Sequence, residues 1–536
     1  CALPISHHSI PWWVVAAALA VAFVAYLPAL NGPFVFDDLT LPVLQEQDAT
    51  PLEAYFRGAR PLYYLSLKAQ YLLAGHSPAP FHVVNWLLHA LNALLLFAIL
   101  KRHAALAQLL PGPALAASAF GAGLFLLHPL NTEAVSYIAS HSEVLSVFFG
   151  FLAWLVFIRS HHPRLGLRAA LSVALLLTLA LASKEHVIAL IGVFLLTDLL
   201  YGSLRANLRF YVPLAVFGAA AAALLLARIT NVTAGFNVEG ATPLSYLVTQ
   251  GAVIWRYLQL AVAPFGQSVD HGVRISVTPL GLAGLAALAG VTLYLWKKAP
   301  RLALLGWLTF LLLLAPTSSF VPIADAMVER RMYLAMPGLA LLVAPWIHRV
   351  NRHALAGVLL VLALLTWNRN EQWSSSESLW RDAVAGNPAN SRAQFQLAHA
   401  LYLDGRCAEA LPHFAAADQH GGGEDALYID WALAHDCTGQ PDQGLAILQR
   451  AADDSHLRWA TQGMIEGKRG RSAEALAALD RATALRPDFA MSWVYQGNVF
   501  TALGRRDQAE ASYRRALTLE PENPAALQGL RALSAR

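Results

Sequence analysis

Long runs of apolar residues fill the first two thirds of the chain, and most are close to the length of a membrane-spanning helix. A helix needs about 20 mostly apolar residues to cross the hydrocarbon core of a bilayer. We assign eleven such stretches, at residues 11–30, 80–100, 114–128, 141–158, 167–183, 186–201, 210–227, 279–296, 301–316, 331–347 and 354–368. The pattern predicts an all-α, polytopic membrane domain over residues 1–369, with a long first outer loop at about 31–79.

A twelfth apolar stretch, residues 245–265, is ambiguous because Arg256 lies at its centre, and a charge in lipid is costly. The positive-inside rule decides between the alternatives. If this stretch does not cross, one set of loops holds twelve basic residues and no acidic ones: Lys101, Arg102, Arg159, Arg164, Arg168, Arg205, Arg209, Lys297, Lys298, Arg301, Arg349 and Arg352. If it crosses, Lys297, Lys298 and Arg301 move to the other side. We therefore predict eleven spans, with 245–265 an interfacial or re-entrant helix on the outer face.

This arrangement places the N-terminus in the cytoplasm and the C-terminal part outside. We interpret the first apolar stretch as a retained span and not a cleaved signal, because no charged segment precedes it. The chain begins with Cys1 and not with methionine, which leaves open whether its N-terminus is complete. The Ala- and Leu-rich composition, with few lysines, favours a bacterial inner membrane, so that the C-terminal part is expected in the periplasm.

After residue 390 the pattern changes to an internal repeat with a period of 34 residues. Matching positions are Trp459 and Trp493, Gly463 and Gly497, Gly470 and Gly504, Ala475 and Ala509, Ala482 and Ala516, and Pro487 and Pro521. These spacings are typical of the tetratricopeptide repeat, in which small residues let two helices cross closely. We predict four repeats, at residues 391–424, 425–455, 456–489 and 490–523, within a domain at 391–536. Residues 370–390 form a lead-in helix and linker, and 524–535 a capping helix. Stacked repeats form a concave surface suited to an extended peptide, so we expect a protein partner.

Composition and charge agree with this division. Hydrophobic residues make up 57% of the chain and charged residues 13%, whereas a soluble domain is usually about 25% charged. Residues 1–369 carry 22 Lys and Arg against 13 Asp and Glu, and the remaining 167 residues carry 16 against 21. These figures exclude a disordered chain, a nucleic-acid-binding chain and an ordinary soluble enzyme.

Two of the three cysteines lie where neighbouring repeat helices should meet. Cys407 opens the second helix of the first predicted repeat, and Cys437 lies near the end of the first helix of the next. A disulfide between them is one interpretation, and a periplasmic or lumenal location would permit it. The other is that both are unpaired and serve as small apolar residues.

The predicted outer face collects residues that are unusual beside a membrane. Asp37 and Asp38 are adjacent in the first outer loop, and paired carboxylates can deprotonate a hydroxyl or hold a cation. Cations on the same side are suited to binding a phosphate or diphosphate headgroup. The main ones are Arg60, Lys184, Arg330 and Arg331. Some of them can instead pair with Glu185, Asp325 or Glu329.

Four further residues are candidates for orienting the acceptor or the sugar. They are His128, Glu133, His186 and His271. The alternative for His128, which precedes Pro129, is that it caps the end of a span. Acids and histidines of the types that bind metals are present, but no spacing defines a metal site, so the cofactor and any metal stay undetermined.

The ordered set of outer segments resembles the polytopic glycosyltransferases of the C-type fold, and more closely the transmembrane-and-tetratricopeptide O-mannosyltransferases and their bacterial relatives. The segments that carry the resemblance are FDDL (36–39), RPL (60–62), HPLNTEAVSYI (128–138), SKEHVIAL (183–190), FGQSVDH (265–271), ERRMYL (329–334) and residues 367–388. None of them is specific alone.

The resemblance implies an enzyme that moves a sugar from a polyprenyl-phosphate-linked donor to a Ser or Thr hydroxyl of an extracytoplasmic protein, with inversion at the sugar carbon. It implies that Asp37, in preference to Asp38, is the general base, and that the outer cations stabilise the departing lipid phosphate. The alternatives are a non-catalytic membrane scaffold that recruits partners through its repeats, and a glycosyltransferase for a lipid or glycan acceptor. A transporter is less favoured, because the polar residues cluster at one face and not at the bilayer midplane.

Overall fold

The computed structural model describes residues 10–45, 55–56, 59–161, 164–228, 235–236 and 238–534. All regular secondary structure in these ranges is helical apart from an isolated bridge residue, which confirms the all-α prediction. The chain divides into two compact units between Asp382 and Ala383. This boundary lies within residues 370–390, where the sequence predicts the linker.

The first unit is built from helices of very different lengths, joined by short 3-10 segments. Its α-helices are α1 (Trp12–Tyr26), α2 (Pro42–Gln45), α3 (Pro61–Ala74), α4 (Pro78–Leu106), α5 (Pro111–Leu127), α6 (Thr132–Ser136), α7 (His141–Ser160), α8 (Leu167–Leu181), α9 (Leu190–Tyr201), α10 (Leu204–Arg228), α11 (Pro243–Val262), α12 (Pro279–Lys298), α13 (Arg301–Leu314), α14 (Met332–Val343) and α15 (Arg352–Gln372). The 3-10 segments that matter below are Phe36–Thr40, Pro129–Asn131, Ile138–Ser140, Glu185–Ala189 and Glu329–Arg331.

Fewer helices than expected are long and apolar enough to cross a membrane. Within the described residues these are Trp12–Ala29, Pro78–Leu106, Ile138–Ser160 and Pro279–Lys298, and a bent pair, Pro111–Leu127 with Pro129–Ser136, makes up to five. Several other apolar stretches are divided: residues 186–201, for instance, form part of a 3-10 segment followed by the 12-residue helix α9. The eleven predicted spans therefore stay a prediction.

Glycines let α13 and α14 approach each other at backbone distance. A Cβ built on Gly338 would lie 2.7 Å from the carbonyl oxygen of Gly306, and one on Gly306 would lie 2.6 Å from that of Gly338. Backbone atoms cannot move aside as a flexible side chain can. Close crossing at small residues is typical of helices packed within membranes, where tight van der Waals contact replaces the hydrophobic effect as the force between helices.

We expect Gly338→Ala to destabilise the first unit by about 1–3 kcal/mol, the usual range for overpacking a close contact. Gly357→Ala in α15 is the matched control, because a Cβ there has nothing within 4 Å and alanine is favoured over glycine in a helix. The measurement is the thermal unfolding temperature of the purified full chain in one detergent. An unfolding temperature for Gly338→Ala equal to that of Gly357→Ala would contradict the close crossing.

The second unit is a stack of antiparallel helix pairs. Helix α16 (Ser376–Gly386) leads into it, followed by α17 (Ser391–Leu403), α18 (Cys407–Gln419), α19 (Asp425–Cys437), α20 (Pro441–Leu448), α21 (His456–Lys468), α22 (Ser472–Leu485), α23 (Ala490–Ala502), α24 (Arg506–Leu519) and α25 (Pro524–Ser534). One pair falls inside each of the four repeats expected from the sequence. The turn within each pair contains a glycine at positive φ, at 405, 439, 470 and 504. Residues other than glycine rarely adopt this backbone conformation.

A disulfide joins the first two helix pairs. Cys407, at the start of α18, is bonded to Cys437, at the end of α19, with a Cα–Cα distance of 6.2 Å. The sequence leaves open whether these two cysteines are bonded or unpaired, and in the structure they are bonded.

Breaking this cross-link should destabilise the second unit by about 2–4 kcal/mol, because the closed loop restricts the unfolded chain. The test compares the wild-type chain with Cys407→Ser/Cys437→Ser in limited proteolysis across a urea series, each with and without a reductant. We expect the reductant to make the wild type as susceptible as the double variant and to leave the double variant unchanged. If the reductant is shown to have reduced the disulfide, and the wild type is no more susceptible to proteolysis than without it, the prediction is contradicted.

Candidate active site

The segment that carries the two aspartates is a short 3-10 turn, Phe36–Thr40, that begins ten residues after the end of α1. Phe36 has a φ of 58°, in the left-handed region that non-glycine residues rarely adopt, and such strain often marks functional positions. The Phe36 ring lies 5.4 Å from that of Trp380, centroid to centroid. Asp37 follows Phe36 directly and is exposed, whereas Asp38 is 1% exposed. The two adjacent carboxylates therefore differ in access to a substrate.

Asp38 holds the turn in place. One of its oxygens accepts a hydrogen bond from the backbone N–H of Val35 at 3.0 Å, and the other accepts one from the N–H of Ala139 at 2.6 Å. Burial raises the pKa of Asp38 to about 7, although these backbone donors act in the opposite direction. Since both oxygens are occupied by backbone groups, this side chain is an anchor between residues 35–38 and the segment before α7.

Tyr137 connects Asp37 to the rest of the unit. The backbone N–H of Asp37 donates to the Tyr137 hydroxyl at 2.9 Å, and the Asp37 carboxylate is also hydrogen bonded to that hydroxyl. The Tyr137 ring stacks on Trp373 at 5.9 Å between centroids. The guanidinium of Arg330 lies 5.8 Å from the centre of the same ring. One aromatic side chain thus contacts both the exposed acid and a predicted phosphate-binding cation.

Glu133 is the ion-pair partner of Arg330 and is buried more deeply than the cation. The Arg330 guanidinium forms an ion pair with the Glu133 carboxylate, and the Arg330 backbone N–H donates to the second Glu133 oxygen at 3.0 Å. The side chain of Glu133 is 2% exposed and that of Arg330 is 22% exposed. The acid is therefore a buried counter-ion, and the cation faces outward.

Lys184 is held in the same way by Glu143. Its Nζ lies 2.7 Å from one Glu143 oxygen, and His186 Nε2 lies 2.9 Å from the other. The side chain of Glu143 is 2% exposed, against 18% for Lys184. Arg60 differs, because its bidentate partner Glu185, at 2.6 and 2.8 Å, is itself half-exposed; Arg60 keeps the pKa of Glu185 low, at about 2, against the raising effect of burial.

These cations repel one another. Burial lowers the pKa of Lys184, and the positive charges of Arg60 and Arg330 lower it further, against the opposite effect of Glu143. Asp37 interacts electrostatically with Arg330. An anion placed over the three cations would relieve their repulsion. The arrangement is thus a group of three partly exposed cations, one of which interacts with an exposed carboxylate.

The remaining residues predicted for the site serve other contacts. Arg331 donates to the backbone carbonyls of Asp325 and Ala326, at 2.6 and 3.0 Å. His128 has both ring nitrogens engaged by the backbone, at Leu130 N–H and Ala261 C=O, so it has the capping position considered as its alternative. His271 lies 3.0 Å from Glu329, a buried acid that also accepts from the N–H of Ser268 at 2.8 Å. These three side chains therefore have partners outside the group formed by Asp37, Arg330 and Lys184.

Sequence reasoning did not assign two residues on which the cluster depends, Tyr137 and Glu143. Tyr137 lies in a segment that carries the family resemblance, but nothing in its spacing indicates a contact with Asp37. Glu143 begins a hydrophobic helix and was considered only as a general metal-ligand type. Among the residues that the structure describes, no group of three or more His, Cys, Asp or Glu side chains is arranged to hold a metal ion.

Comparison with known proteins supports the resemblance. The tetratricopeptide repeat family model matches residues 363–424 and 461–526. The protein O-mannosyl-transferase F38B6.6 of Caenorhabditis elegans is 24% identical over 435 residues, covering 73% of this chain and 60% of the relative. Human protein O-mannosyl-transferase TMTC3 is 23% identical over 479 residues, covering 74% and 50%. The chain thus spans between half and three fifths of the length of these relatives.

A shorter match is more similar. Protein O-mannosyl-transferase Tmtc1 of Drosophila melanogaster is 31% identical over 194 residues, which cover 33% of this chain and 22% of the relative. Among solved structures, the tetratricopeptide protein YrrB matches with 19% identity over 33% of this chain and 89% of that one, at a TM-score of 0.25, too low to support a structural conclusion. This chain is therefore a homologue of protein O-mannosyl-transferases, and its own C-terminal part matches the tetratricopeptide repeat model.

Proposed function

We propose that this protein is an integral-membrane glycosyltransferase that moves a sugar from a polyprenyl-phosphate-linked donor to a Ser or Thr hydroxyl of an extracytoplasmic protein. The observation that supports this most is the exposed Asp37 within electrostatic range of Arg330, which in turn lies within range of Lys184. The counter-ions of these two cations, Glu133 and Glu143, are buried. Such an arrangement offers a base and a phosphate site side by side. The homologues are protein O-mannosyl-transferases, which supports the reaction class.

In the proposed reaction the hydroxyl oxygen of the acceptor attacks the sugar carbon that is bonded to the phosphate. The new carbon–oxygen bond forms as the carbon–oxygen bond to the lipid phosphate breaks, and that bonding pair leaves with the phosphate. Asp37 takes the hydroxyl proton, a role worth about 10²–10⁴-fold in rate. A single displacement of this kind inverts the sugar carbon and needs no covalent sugar–enzyme intermediate.

The departing lipid phosphate gains charge as the bond breaks. Arg330, Lys184 and Arg60 are the groups we assign to stabilise it, because pre-positioned cations act on developing charge without having to reorganise. Arg330 also contacts the Tyr137 ring next to Asp37, so the phosphate and the acceptor hydroxyl would meet at this point. We assign Asp38, Glu133, Glu143 and His186 to positioning.

The proposal includes the topology expected from charge sorting: eleven spans, residues 245–265 on the outer face, a cytoplasmic N-terminus, and the repeats in the periplasm of a bacterium. The disulfide between Cys407 and Cys437 supports an extracytoplasmic second unit, since such bonds persist in oxidising compartments. The repeats would bind the acceptor protein or a partner, as stacked repeats commonly do.

The direct test of the donor is transfer by the full chain reconstituted in lipid vesicles. A radiolabelled polyprenyl-phosphate sugar is offered with Ser/Thr-containing peptides, and a nucleotide-linked form of the same sugar serves as the comparison. We expect labelled peptide with the lipid-linked donor alone, and opposite anomeric configurations in donor and product. Transfer from the nucleotide sugar would contradict the donor assignment, and transfer to lipid or glycan without peptide would support the other acceptor class.

A further inference from the structure

A cavity of about 500 Å³ lies in the first unit, remote from Asp37. Its lining includes Gln108, Leu109, Tyr201, Arg301, Leu302 and Pro345. Helix α4 gives the separation: Asn85, which donates to the Tyr137 carbonyl at 3.5 Å, precedes Leu106 at the cavity by 21 residues, which is about 30 Å at 1.5 Å per residue. The cavity therefore lies near the opposite end of the unit, and its size falls within the range of ligand sites, about 300–1,000 Å³.

A cation that pairs with no acid among the described residues lines this space. The Tyr201 hydroxyl oxygen is buried and has no hydrogen-bond partner among the described residues, although buried hydroxyls normally have one. Arg301 is exposed and interacts electrostatically with Tyr201, and no acid in the described part of the chain forms an ion pair with it. Arg301 therefore presents a cation to the cavity, whereas the Tyr201 hydroxyl is closed off from it.

The backbone around the cavity also indicates a functional site. Gln108 has a φ of 60° and shares this left-handed conformation, among described non-glycine residues, with Phe36 beside the candidate base. A strained residue of this type persists where the surrounding structure over-determines it, often at a site of function. Arg301 also opens α13, whose first turn receives no side-chain cap, so its amide groups add positive potential.

We propose that this cavity binds a phosphate-type anion, and that its source is the headgroup of an anionic phospholipid. Leu106, Leu109 and Pro345 supply an apolar wall for the glycerol and the start of the acyl chains. Arg301 and the neighbouring Lys297 and Lys298 belong to the loops that the charge pattern assigns to the cytoplasmic surface, where anionic lipids attract basic residues. The site rests on the membrane orientation included in the proposed function, and it is independent of the proposed chemistry at the other end of the unit.

The test measures lipid retention by the purified full chain with native mass spectrometry. The protein is prepared in nanodiscs of phosphatidylcholine with one tenth phosphatidylglycerol, then released into detergent. The variants are Tyr201→Phe and Arg301→Gln, and Arg352→Gln is the matched control, because Arg352 is an exposed arginine that opens α15 and does not line the cavity. Thermal unfolding in phosphatidylcholine alone establishes that each variant is folded.

We expect the wild type and Arg352→Gln to retain one phosphatidylglycerol in preference to phosphatidylcholine, and Arg301→Gln to bind it about tenfold more weakly, as loss of a charge-assisted contact predicts. Tyr201→Phe should retain phosphatidylglycerol as the wild type does, because the Tyr201 hydroxyl is closed to a ligand in the cavity. A second outcome is that the two lipids are retained equally, and that inorganic phosphate raises the unfolding temperature of the wild type but not of Arg301→Gln. In that case the cavity binds an anion, and the source of the anion is free phosphate. Equal retention by wild type and Arg301→Gln, with no response to phosphate, would overturn the proposal.

Discussion

Asp37→Asn should lower the rate of sugar transfer by about 10²–10⁴-fold, the range for loss of a general base. Asparagine keeps the size of the side chain but cannot accept the proton of the hydroxyl. Asp37 is exposed, and the anchor of its turn is Asp38, so the substitution should leave the fold intact. The measurement is kcat and KM of the reconstituted full chain with the lipid-linked donor. We expect the loss to appear in kcat, with donor KM changed little.

Glu239→Gln is the matched control for that experiment. Glu239 is an exposed acid that the topology also places on the outer face, and it has no part in the proposed site. It should leave kcat within about twofold of the wild type, since surface substitutions away from such features have small effects. Equal kcat values for Asp37→Asn and Glu239→Gln would remove Asp37 as the base. The wild type must show transfer for either comparison to be informative.

Arg330→Gln should lower kcat by about 10²–10³-fold, as removal of one donor to a developing oxyanion does in other enzymes. The same change leaves Glu133 buried without its cation, and breaking a buried pair typically costs about 3–5 kcal/mol of stability. Both effects follow from loss of the guanidinium, which is the proposed phosphate contact and also the ion-pair partner of Glu133; the backbone hydrogen bond from Arg330 to Glu133 stays. A loss of activity in this variant alone would therefore be ambiguous.

The double variant Arg330→Gln/Glu133→Gln separates the two effects. Removing both charges leaves no uncompensated acid, so thermal stability should recover most of the loss measured for Arg330→Gln. Activity should stay low, because nothing replaces the cation at the phosphate. Recovery of activity together with stability would show that Arg330 only neutralises Glu133. Arg330 would then have no role in binding the phosphate.

The repeats were accessible from sequence because their information is local. Gly470 and Gly504 recur at one period and each occupies a turn at positive φ, so spacing alone indicates where each helix pair turns. The bonding of Cys407 to Cys437 was one of two alternatives, because sequence gives the antiparallel arrangement of two helices but not the distance between two side chains.

The candidate site depends on contacts between distant segments, which spacing does not encode. Asp37 and Asp38 are adjacent acids in the sequence, and the fold distinguishes them because Val35 and Ala139, the latter 101 residues from Asp38, donate to the Asp38 carboxylate. Lys184 and Arg330 were identified as cations on the wrong side for the charge rule, but their pairing with Glu143 and Glu133 required the fold. His128 was selected by residue type, and the backbone uses both of its nitrogens.

The central claim is that Asp37 supports transfer of sugar to extracytoplasmic proteins. The most direct measurement is mass spectrometry of extracytoplasmic glycopeptides from cells that carry the wild-type chain or Asp37→Asn, at equal expression and with membrane insertion checked. The account predicts that sugar-bearing Ser/Thr peptides present with the wild type disappear with Asp37→Asn and persist with Glu239→Gln. An identical set of glycopeptides in all three, with the protein intact and still bound to partners through its repeats, would contradict the account and favour a scaffold.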